Sequence, residues 1–367
     1  MTKIKVLIDG YYLRKPRGLG RYIKELLYNL SLYPRNEVQI FVLVPDDINN
    51  EYLIQGKNIT YIFSKGTIQP IWEQCLIPIT VRKYKIDVVF HPYNTSSILM
   101  NFYLKNVKRI VTIHDLMFLD SNHKSANLYQ KLGNIYRKVC VKFLSKQATI
   151  ISVSNKTKKE IAQKINREST VIYSTVDKFY NDFYRSKNKV LDIIPNEPYF
   201  LHVGGSSPHK NTIRVIEAFK KSNVYKHYKL LIVGLGKKGK IQELYKDDRV
   251  EFLDWITDLE MASLYKNACA LIFPSLNEGY GLPIVEAIKF NCPVITSDIE
   301  PMSEISMGSS LLVNPYDIDE ISKALENITD KEMRNRLQLK QKSVSNIFSS
   351  EVYAKKLYNL IINGSII

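Results

Sequence analysis

The chain has 367 residues, of which 45% are hydrophobic and 24% charged, and this composition is typical of a globular protein with two or three domains. Its longest apolar runs fall short of about 18 residues and its first ten residues contain only a short one, so we expect neither a transmembrane helix nor a signal peptide. The four cysteines are widely spaced, which favours buried free thiols in a reducing cytoplasm over disulfides or zinc ligands.

Positive charge is concentrated in the first half of the chain. Residues 1–190 contain 31 lysines and arginines against 14 acidic residues, whereas residues 191–367 contain 21 against 22. This asymmetry indicates an anionic partner, either a membrane surface or a nucleic acid. Lysines scattered over solvated faces are the alternative explanation.

Strands and helices alternate through the first half, which is typical of a parallel sheet covered by helices. The predicted strands are Lys5–Gly10, Val38–Val44, Asp87–His91, Arg109–His114, Thr149–Ser154 and Thr170–Ser174. The predicted helices are Arg21–Leu32, Pro70–Tyr84, Ser125–Ser145 and Asn155–Ile165.

The long predicted helix at 125–145 is basic and carries interleaved aromatic residues. This combination favours a membrane interface, and an ordinary amphipathic helix with a lysine-rich solvent face explains it equally well. The residues concerned are Lys131, Arg137, Lys138, Lys142 and Lys146, with Tyr129, Tyr136 and Phe143.

Residues 177–198 are rich in Asn, Lys and Asp and are predicted to be an interdomain connection. The alternation then restarts, which predicts a second doubly wound domain. Its predicted strands are Tyr199–Gly205, Lys229–Val233, Val250–Trp255, Ala270–Ser275 and Pro293–Ser297, and its predicted helices include Thr257–Asn267 and Ile318–Thr329. A last helix is predicted near Ser350–Ile362.

The stretch Glu278–Glu286 combines two carboxylates, two glycines and a proline. Pro283 suits the first position of a helix, so Glu278 lies on the loop after a strand and Glu286 about one turn into the helix. Backbone amides and the positive end of the helix favour a phosphate there, and ionised carboxylates accept hydrogen bonds from hydroxyl groups. The stretch therefore suggests a nucleotide sugar, although a turn-capping acid and an ordinary helix acid are the simpler explanation.

The sequence E-G-Y-G-L-P-I-V-E also resembles the E-x7-E motif of retaining glycosyltransferases of family 4, which have the GT-B fold. The resemblance implies an α/β protein with two Rossmann-like doubly wound domains that face each other across a cleft. We expect an acceptor-binding domain at 1–180, a domain that binds the nucleotide-sugar donor at 181–345, and a C-terminal helix at 346–367 that returns toward the first domain.

Two loops of the first half resemble the same family. The segment 16–22 is similar to the G-x-G-R-Y loop of mannosyltransferase-like members, which lies between donor and acceptor; Gly18 and Gly20 then belong to the donor side and Arg17 to the acceptor side. The dipeptide His114-Asp115 matches the family's His-Asp pair, with the histidine near the donor sugar and the aspartate toward the acceptor. A plain turn and a structural histidine are the alternatives. The predicted N-cap Ser154 belongs to the segment 152–155, which matches a V-S stretch that serves packing or ligand contact in the family.

The loop 204–211 of the second half resembles the first donor-domain loop of the family, in which Lys210 neutralises the diphosphate beside Gly204 and Gly205. Many members carry an arginine where this chain has Gly205, so Arg17, Arg214 or His209 would have to take its place. The G-x-G-x-x-G at 234–239 follows a strand that is not the first of its domain, so we interpret it as a tight turn rather than a dinucleotide site.

The expected activity is metal-independent, cofactor-free transfer of a hexose, with retention, from GDP-mannose or a UDP-sugar such as UDP-glucose to a saccharide. The expected catalytic residues are Glu278, Lys210, His114 and Asp115, and the donor-binding residues are Gly18, Gly20, Gly204, Gly205, Lys210, Glu278, Gly279, Tyr280, Gly281, Leu282 and Glu286. Glu278 is assigned to the sugar, Lys210 and the loop amides to the diphosphate, and Glu286 to the ribose.

The basic first half suggests an acceptor linked to a lipid pyrophosphate and a peripheral position on the cytoplasmic membrane face, as in surface polysaccharide synthesis. A sugar-nucleotide epimerase with the GT-B fold is the alternative and would need the donor alone. A nucleic-acid-binding protein is a second alternative, but no recognisable binding motif interrupts the alternation, so we expect no nucleic-acid partner.

Overall fold

The structure is a computed structural model, and it describes residues 3–15, 18–120, 128–186, 192–205, 207–236 and 238–364. The chain forms two compact units. The first comprises Met1–Ser174 and Ser350–Ile367, and the second comprises Thr175–Ser349. Each unit is built on its own parallel sheet.

The strands of the described residues are short and are separated by helices. They are β1 (Ile4–Asp9), β2 (Val38–Pro45), β3 (Ile59–Ser64), β4 (Val88–His91), β5 (Lys108–Ile113), β6 (Thr149–Ser152), β7 (Thr170–Val171), β8 (Tyr199–Val203), β9 (Lys229–Val233), β10 (Val250–Leu253), β11 (Ala270–Phe273), β12 (Val294–Ser297) and β13 (Leu311–Val313).

The helices are α1 (Leu19–Leu32), α2 (Gln69–Ile71), α3 (Ile77–Tyr84), α4 (Met100–Tyr103), α5 (Leu128–Lys142), α6 (Asn155–Ile165), α7 (Asp177–Arg185), α8 (Thr212–Lys221), α9 (Lys240–Leu244), α10 (Asp258–Asn267), α11 (Leu282–Lys289), α12 (Met302–Ser306), α13 (Ile318–Asn327), α14 (Lys331–Val344) and α15 (Ser350–Asn363). A π-helical turn, Trp72–Leu76, joins α2 to α3, so residues 69–84 form one helical segment.

The sheet of the first unit has the strand order β3-β2-β1-β4-β5-β6-β7, and its neighbouring strands are parallel. Helices cover parallel sheets on both faces, which explains why the strand residues Val6–Asp9 and Val88–His91 are buried throughout. The chain changes direction between β1 and β4. This switch point is the place where open α/β sheets bind ligands.

The sheet of the second unit repeats the pattern with the order β10-β9-β8-β11-β12-β13. Its switch point lies between β8 and β11, which pair in parallel with Leu201 opposite Leu271. The loops that follow these two strands carry Lys210 and Glu278. Parallel strands end at the same edge, so the topology brings the two loops together.

The last helix, α15, belongs to the first unit although the residues before it belong to the second. Tyr353, Leu357 and Tyr358 are part of the same hydrophobic core as β1 and α1. The Tyr358 hydroxyl donates a hydrogen bond to the carbonyl oxygen of Leu30 at 2.8 Å.

Several elements differ from the sequence prediction, and the short elements β13, α4 and α12 were not predicted at all. The edge strand β3 was not predicted, because its residues are only partly buried and lack a clear alternation. Residues 177–198 were predicted as an interdomain connection, with no helix named. They begin with α7, whose Phe179 and Phe183 pack against Phe290 with ring centroids 5.6 and 5.4 Å apart. Polar residues separate these two phenylalanines in the sequence, so the apolar stripe was not recognised.

Other predictions concern single residues. Ser154 is an N-cap, as predicted, and Thr257 is the N-cap of α10 and forms a capping box with Glu260. The four cysteines are free, as predicted, and three are buried, whereas Cys75 is exposed and was wrongly predicted to be buried. Within the described residues, no helix is both long enough and apolar enough to cross a membrane.

Candidate functional site

The loops after β8 and β11 bring Lys210 and Glu278 into direct contact. The Lys210 ammonium donates a hydrogen bond to Glu278 Oε1 at 2.7 Å, and it lies 5.2 Å from the centre of the Phe273 ring. The two side chains are 24% and 15% exposed, so a ligand can reach both. Two residues that the sequence assigns to different parts of a donor are therefore partners of each other.

Asn211 fixes the position of Lys210. Its backbone is left-handed, with φ of 60°, and its side-chain amide donates hydrogen bonds to the carbonyl oxygens of Pro274 at 3.0 Å and Pro315 at 2.6 Å. The amide of Leu276 donates to the His209 carbonyl oxygen at 2.8 Å. The bonds to Pro274 and Leu276 attach the lysine loop to the chain that leads from β11 to Glu278, and the bond to Pro315 attaches it to the chain after β13.

His202 lies beneath this loop and was not singled out from the sequence. It is fully buried; Nδ1 donates to the Ile272 carbonyl oxygen at 2.8 Å, and Nε2 accepts from the Thr212 hydroxyl at 3.0 Å. Burial lowers its pKa to about 4, and the nearby charge of Lys210 acts in the same direction. The imidazole is therefore neutral at neutral pH. A β-carbon at Gly204 would lie 2.8 Å from both Nε2 and the Thr212 hydroxyl, which explains the glycine there.

The segment after Glu278 forms a left-handed turn into α11. Gly281 is the N-cap residue with φ of 109°, a conformation that favours glycine. The helix begins at Leu282, so Pro283 is its second residue and the prediction that it would be the first is wrong by one position. The amide of Ile284 is bonded to the Gly281 carbonyl oxygen at 2.9 Å. The positive end of α11 thus lies next to the loop of Gly279, Tyr280 and Gly281.

Glu286 is placed differently from Glu278. It is 2% exposed, and its Oε2 accepts a hydrogen bond of 2.8 Å from the Tyr265 hydroxyl, which is itself buried. One carboxylate oxygen is therefore already hydrogen-bonded to a buried side chain of the protein. The predicted contact with a ribose would have to use the other oxygen.

Gly205 has space around it. A β-carbon there would meet Lys210 Cγ at 3.4 Å, an ordinary van der Waals distance. Of the residues considered as substitutes for an arginine, Arg214 donates to Asn211 Oδ1 at 2.9 Å and lies 5.5 Å from the Tyr316 ring centre. Arg17 lies outside the described residues. Arg214 is thus held beside the loop of Lys210.

In the first unit, His114 and Asp115 directly follow β5. His114 Nε2 donates to the Pro92 carbonyl oxygen at 2.9 Å, and burial lowers its pKa, so the neutral ring has its lone pair on Nδ1. Asn94 binds this dipeptide twice, because its Oδ1 accepts from the His114 amide at 2.7 Å and its Nδ2 donates to the Asp115 carbonyl oxygen at 3.1 Å. The Asp115 carboxylate accepts from the Met117 amide at 3.1 Å.

The glycine loop contacts the same region. Tyr22, in the first turns of α1, packs its ring edge-on against His114, with centroids 4.6 Å apart. Gly18 is the N-cap of α1 with φ of 59°, and Gly20 has no room for a β-carbon, which would lie 2.6 Å from the Tyr12 carbonyl oxygen. The predicted loop and the His-Asp pair therefore meet in the first unit.

Two family models match the chain, one in each half. Residues 16–178 match the model Glycosyltransferase Family 4, and residues 184–344 match Glycosyl transferases group 1.

The curated relatives include two mannosyltransferases. The O-antigen chain mannosyltransferase RfbU of Salmonella typhimurium is 36% identical over 207 residues, which are 52% of this chain and 55% of that protein. The O-antigen chain mannosyltransferase B of Escherichia coli is 22% identical over 376 residues, and the match covers 93% of this chain and 96% of that protein. The chain therefore spans about half of the first relative and nearly all of the second.

Solved structures share the fold over the whole chain. Sucrose-phosphate synthase from Thermosynechococcus elongatus has a TM-score of 0.75 at 18% identity, covering 99% of this chain and 100% of that one. HepE of Anabaena, solved with UDP and glucose, has a TM-score of 0.72 at 15% identity, covering 98% and 100%. These likenesses confirm the predicted GT-B fold class. The two family models together match most of the chain, which therefore belongs to the family 4 glycosyltransferases.

Proposed function

We propose that the chain transfers mannose, with retention of the anomeric configuration, from GDP-mannose to a lipid-linked saccharide. The observation that carries this proposal is the contact of Lys210 with Glu278 at 2.7 Å beside the N-terminus of α11. The cation and the positive helix end suit the diphosphate of a nucleotide sugar, and the carboxylate can accept hydrogen bonds from the sugar hydroxyls. The mannosyltransferase relatives support the choice of sugar.

Donor binding would separate the ion pair. The diphosphate would take over the Lys210 ammonium, and a hydroxyl of the sugar would donate to the released Glu278 carboxylate. The amides of Gly281 and Leu282 would add further donors at the positive end of the helix. Lys210 would exchange one anionic partner for another, whereas Glu278 would exchange a cation for a neutral hydrogen-bond donor.

The chemical step is cleavage of the bond between the anomeric carbon and the phosphate oxygen. The electron pair moves to the departing diphosphate, where Lys210 and the helix end stabilise the developing charge without a metal or cofactor. The acceptor hydroxyl then attacks the same face of the sugar and passes its proton to the leaving diphosphate. In the first unit, His114 Nδ1 would accept a hydrogen bond from a sugar hydroxyl, and Asp115 would face the acceptor.

A surface of the first unit supports a membrane-linked acceptor. Helix α5 exposes an apolar row at helical spacing, flanked by exposed lysines and continued by Phe102 and Tyr103 of α4. The row consists of Leu132, Ile135, Val139 and Phe143, and the lysines are Lys131, Lys138 and Lys142. The Asn101 side chain ties the two helices together, because it donates to the Phe143 carbonyl oxygen at 2.8 Å. An apolar row bordered by cations suits the cytoplasmic face of an anionic membrane.

Donor screening followed by product analysis tests this function. We expect GDP-mannose to raise the melting temperature more than UDP-glucose or UDP-galactose, because a ligand that binds the folded state stabilises it. With membranes that contain lipid-linked saccharides, NMR of the product should show an α-linked mannose. An isomerised nucleotide sugar formed from the donor alone would identify an epimerase, and no response to any nucleotide sugar would reject the proposal.

A further inference from the structure

Three ionisable residues meet inside the first unit at the switch point of its sheet. Asp9 ends β1 and His91 ends the neighbouring strand β4, while Glu73 lies in the π-helical turn between α2 and α3. Each of the three has no exposed surface. Buried carboxylates of this kind are costly unless a positive charge or several donors compensate them.

The distances leave room for a further group between the three side chains. His91 Nδ1 lies 3.9 Å from Asp9 Oδ2 and 3.8 Å from Glu73 Oε1, which is too long for hydrogen bonds. Among the described residues, neither ring nitrogen of His91 has a hydrogen-bond partner, and Asp9 Oδ2 has none that meets the geometry of a hydrogen bond, although the Tyr93 hydroxyl lies beside Asp9. Native proteins satisfy nearly all buried polar atoms, so several in one cluster indicate a group that binds them.

Both carboxylates also accept hydrogen bonds from the protein. Asp9 Oδ1 accepts from the Tyr11 amide at 3.1 Å and from Trp72 Nε1 at 2.9 Å. Glu73 Oε1 accepts from the Thr95 hydroxyl at 2.8 Å, and Oε2 accepts from the Tyr136 hydroxyl. Donors that orient the ligating carboxylates in this way are the usual surroundings of metal sites.

The positively charged side chains that the structure describes do not compensate the two buried carboxylates, and a bound cation would. Within the described residues, neither Asp9 nor Glu73 forms an ion pair with a lysine or arginine; the contacts to His91 are their ion-pair contacts. Neither ring nitrogen of His91 has a hydrogen-bond partner within the described residues, so the imidazole can offer a lone pair to an ion.

We propose that Asp9 Oδ2, Glu73 Oε1 and His91 Nδ1 bind one divalent transition-metal ion, Zn²⁺ or Mn²⁺. Ligands about 2.1 Å from a tetrahedral ion lie roughly 3.4 Å apart. The distances from His91 Nδ1 are 3.8 and 3.9 Å and all three ligand atoms lie within 4.8 Å of one another, so the side chains would have to draw closer to bind an ion. One imidazole with two carboxylates suits zinc and manganese better than magnesium or calcium.

The ion would have a structural role. It is enclosed and touches no substrate, so it is separate from the metal-independent transfer proposed for Lys210 and Glu278. It ties β1 and β4 to the helical segment 69–84. Through the Tyr11 amide on Asp9, it also anchors the turn that leads into the glycine loop.

Metal analysis of the full chain, purified without a histidine tag, tests the site. The protein is stripped with a chelator, incubated with Zn²⁺ or Mn²⁺ alone, freed of excess ion and measured by mass spectrometry of the metal. We expect about one equivalent per chain and a rise in melting temperature of at least ~3 °C. Glu73→Gln should retain less than about a tenth of the metal, whereas the exposed control His227→Asn should retain all of it.

No uptake by the wild-type chain, or equal uptake by Glu73→Gln, would overturn the proposal. If Glu73→Gln does not fold, crystals of the wild-type protein grown with Zn²⁺ decide the question. Anomalous difference density between Asp9, Glu73 and His91 at the zinc edge supports the site, and a water molecule in that position contradicts it.

Discussion

The Lys210 ammonium lies 2.7 Å from Glu278 Oε1, although the two residues are 68 positions apart in the chain. Both side chains are partly exposed, and exposed or half-exposed ion pairs contribute about 1 kcal/mol or less to stability. A role in ligand binding therefore explains the pair better than a role in the stability of the fold.

Removal of either partner should impair turnover without unfolding the protein. We expect Lys210→Ala and Glu278→Ala each to lower kcat at least about tenfold, because each loses a group that stabilises developing charge or holds the sugar. Their free energies of unfolding should change by no more than about 2 kcal/mol. The matched control is Lys220→Ala, which breaks a similar pair with Asp247 at 2.9 Å in the same unit and should retain activity. Near-normal turnover in Lys210→Ala would remove that residue from the site.

A pair of variants distinguishes the structural role of the Glu286–Tyr265 hydrogen bond from a role of Glu286 in donor binding. Tyr265→Phe removes the hydroxyl that donates to Glu286 Oε2, and its cost should be about 1 kcal/mol of stability with the donor KM nearly unchanged. Glu286→Gln should also raise the donor KM several-fold, because an amide is a poorer acceptor for ribose hydroxyls. Steady-state kinetics with thermal melts measure both effects. Equal KM values in the two variants would leave Glu286 with a purely structural role.

Acid should destabilise the second unit through His202. Its pKa is about 4 in the folded state and about 6.5 when unfolded, so the unfolded chain binds the proton more readily between these values. Stability is therefore fully present above pH 6.5 and is lost as the pH falls toward 4, by up to about 3 kcal/mol. Urea unfolding of the wild type and His202→Asn at several pH values tests this. We expect a flatter pH dependence in the variant, and parallel curves would contradict the account.

Substitution by alanine should change the stability of the fold differently at the neighbouring positions Gly204 and Gly205. A β-carbon at Gly204 would lie 2.8 Å from His202 Nε2, so Gly204→Ala should cost about 1–3 kcal/mol. At Gly205 the nearest atom would be 3.4 Å away, so Gly205→Ala should fold normally. Gly205→Arg should also fold and should bind the donor at least as tightly, since it adds a cation beside Lys210. Chemical unfolding and donor titration provide the comparison, and a destabilised Gly205→Ala would refute it.

The exposed row on α5 should govern membrane attachment. The double substitution of Leu132 and Ile135 by aspartate should abolish sedimentation with liposomes that contain anionic lipid, because it places charges in the apolar row. Leu339→Asp, at an exposed position of α14, is the control and should sediment like the wild type. Sedimentation that is unaffected by the double substitution, or by salt, would contradict this assignment.

The sequence predicts the local parts of the site well, for physical reasons. Glycines, a helix-starting proline and N-caps are short-range signals, and they locate the loops of Lys210 and Glu278 at strand ends. The ion pair itself could not be predicted, since it depends on the order of β8 and β11 in the sheet. The sequence instead assigned the two residues to separate parts of the donor.

The residues that the sequence analysis missed are buried, and their partners lie far from them in the sequence. His202 lies in a strand that looks uniformly apolar, and only the packing of Ile272 and Thr212 around it reveals its role. Asp9, Glu73 and His91 come from three separate elements, so no spacing in the sequence connects them. Similarly, α7 was missed because its two buried phenylalanines are one turn apart among polar residues.

The central claim is that Lys210 and Glu278 form the binding site for the nucleotide-diphosphate sugar. Isothermal titration of GDP-mannose into the wild-type chain and Lys210→Ala tests it most directly. We expect saturable binding by the wild type and at least about tenfold weaker binding by the variant, a difference of roughly 1.4 kcal/mol. Binding of equal strength to both proteins, or no binding to the wild type by GDP-mannose or any UDP-sugar, would contradict the claim.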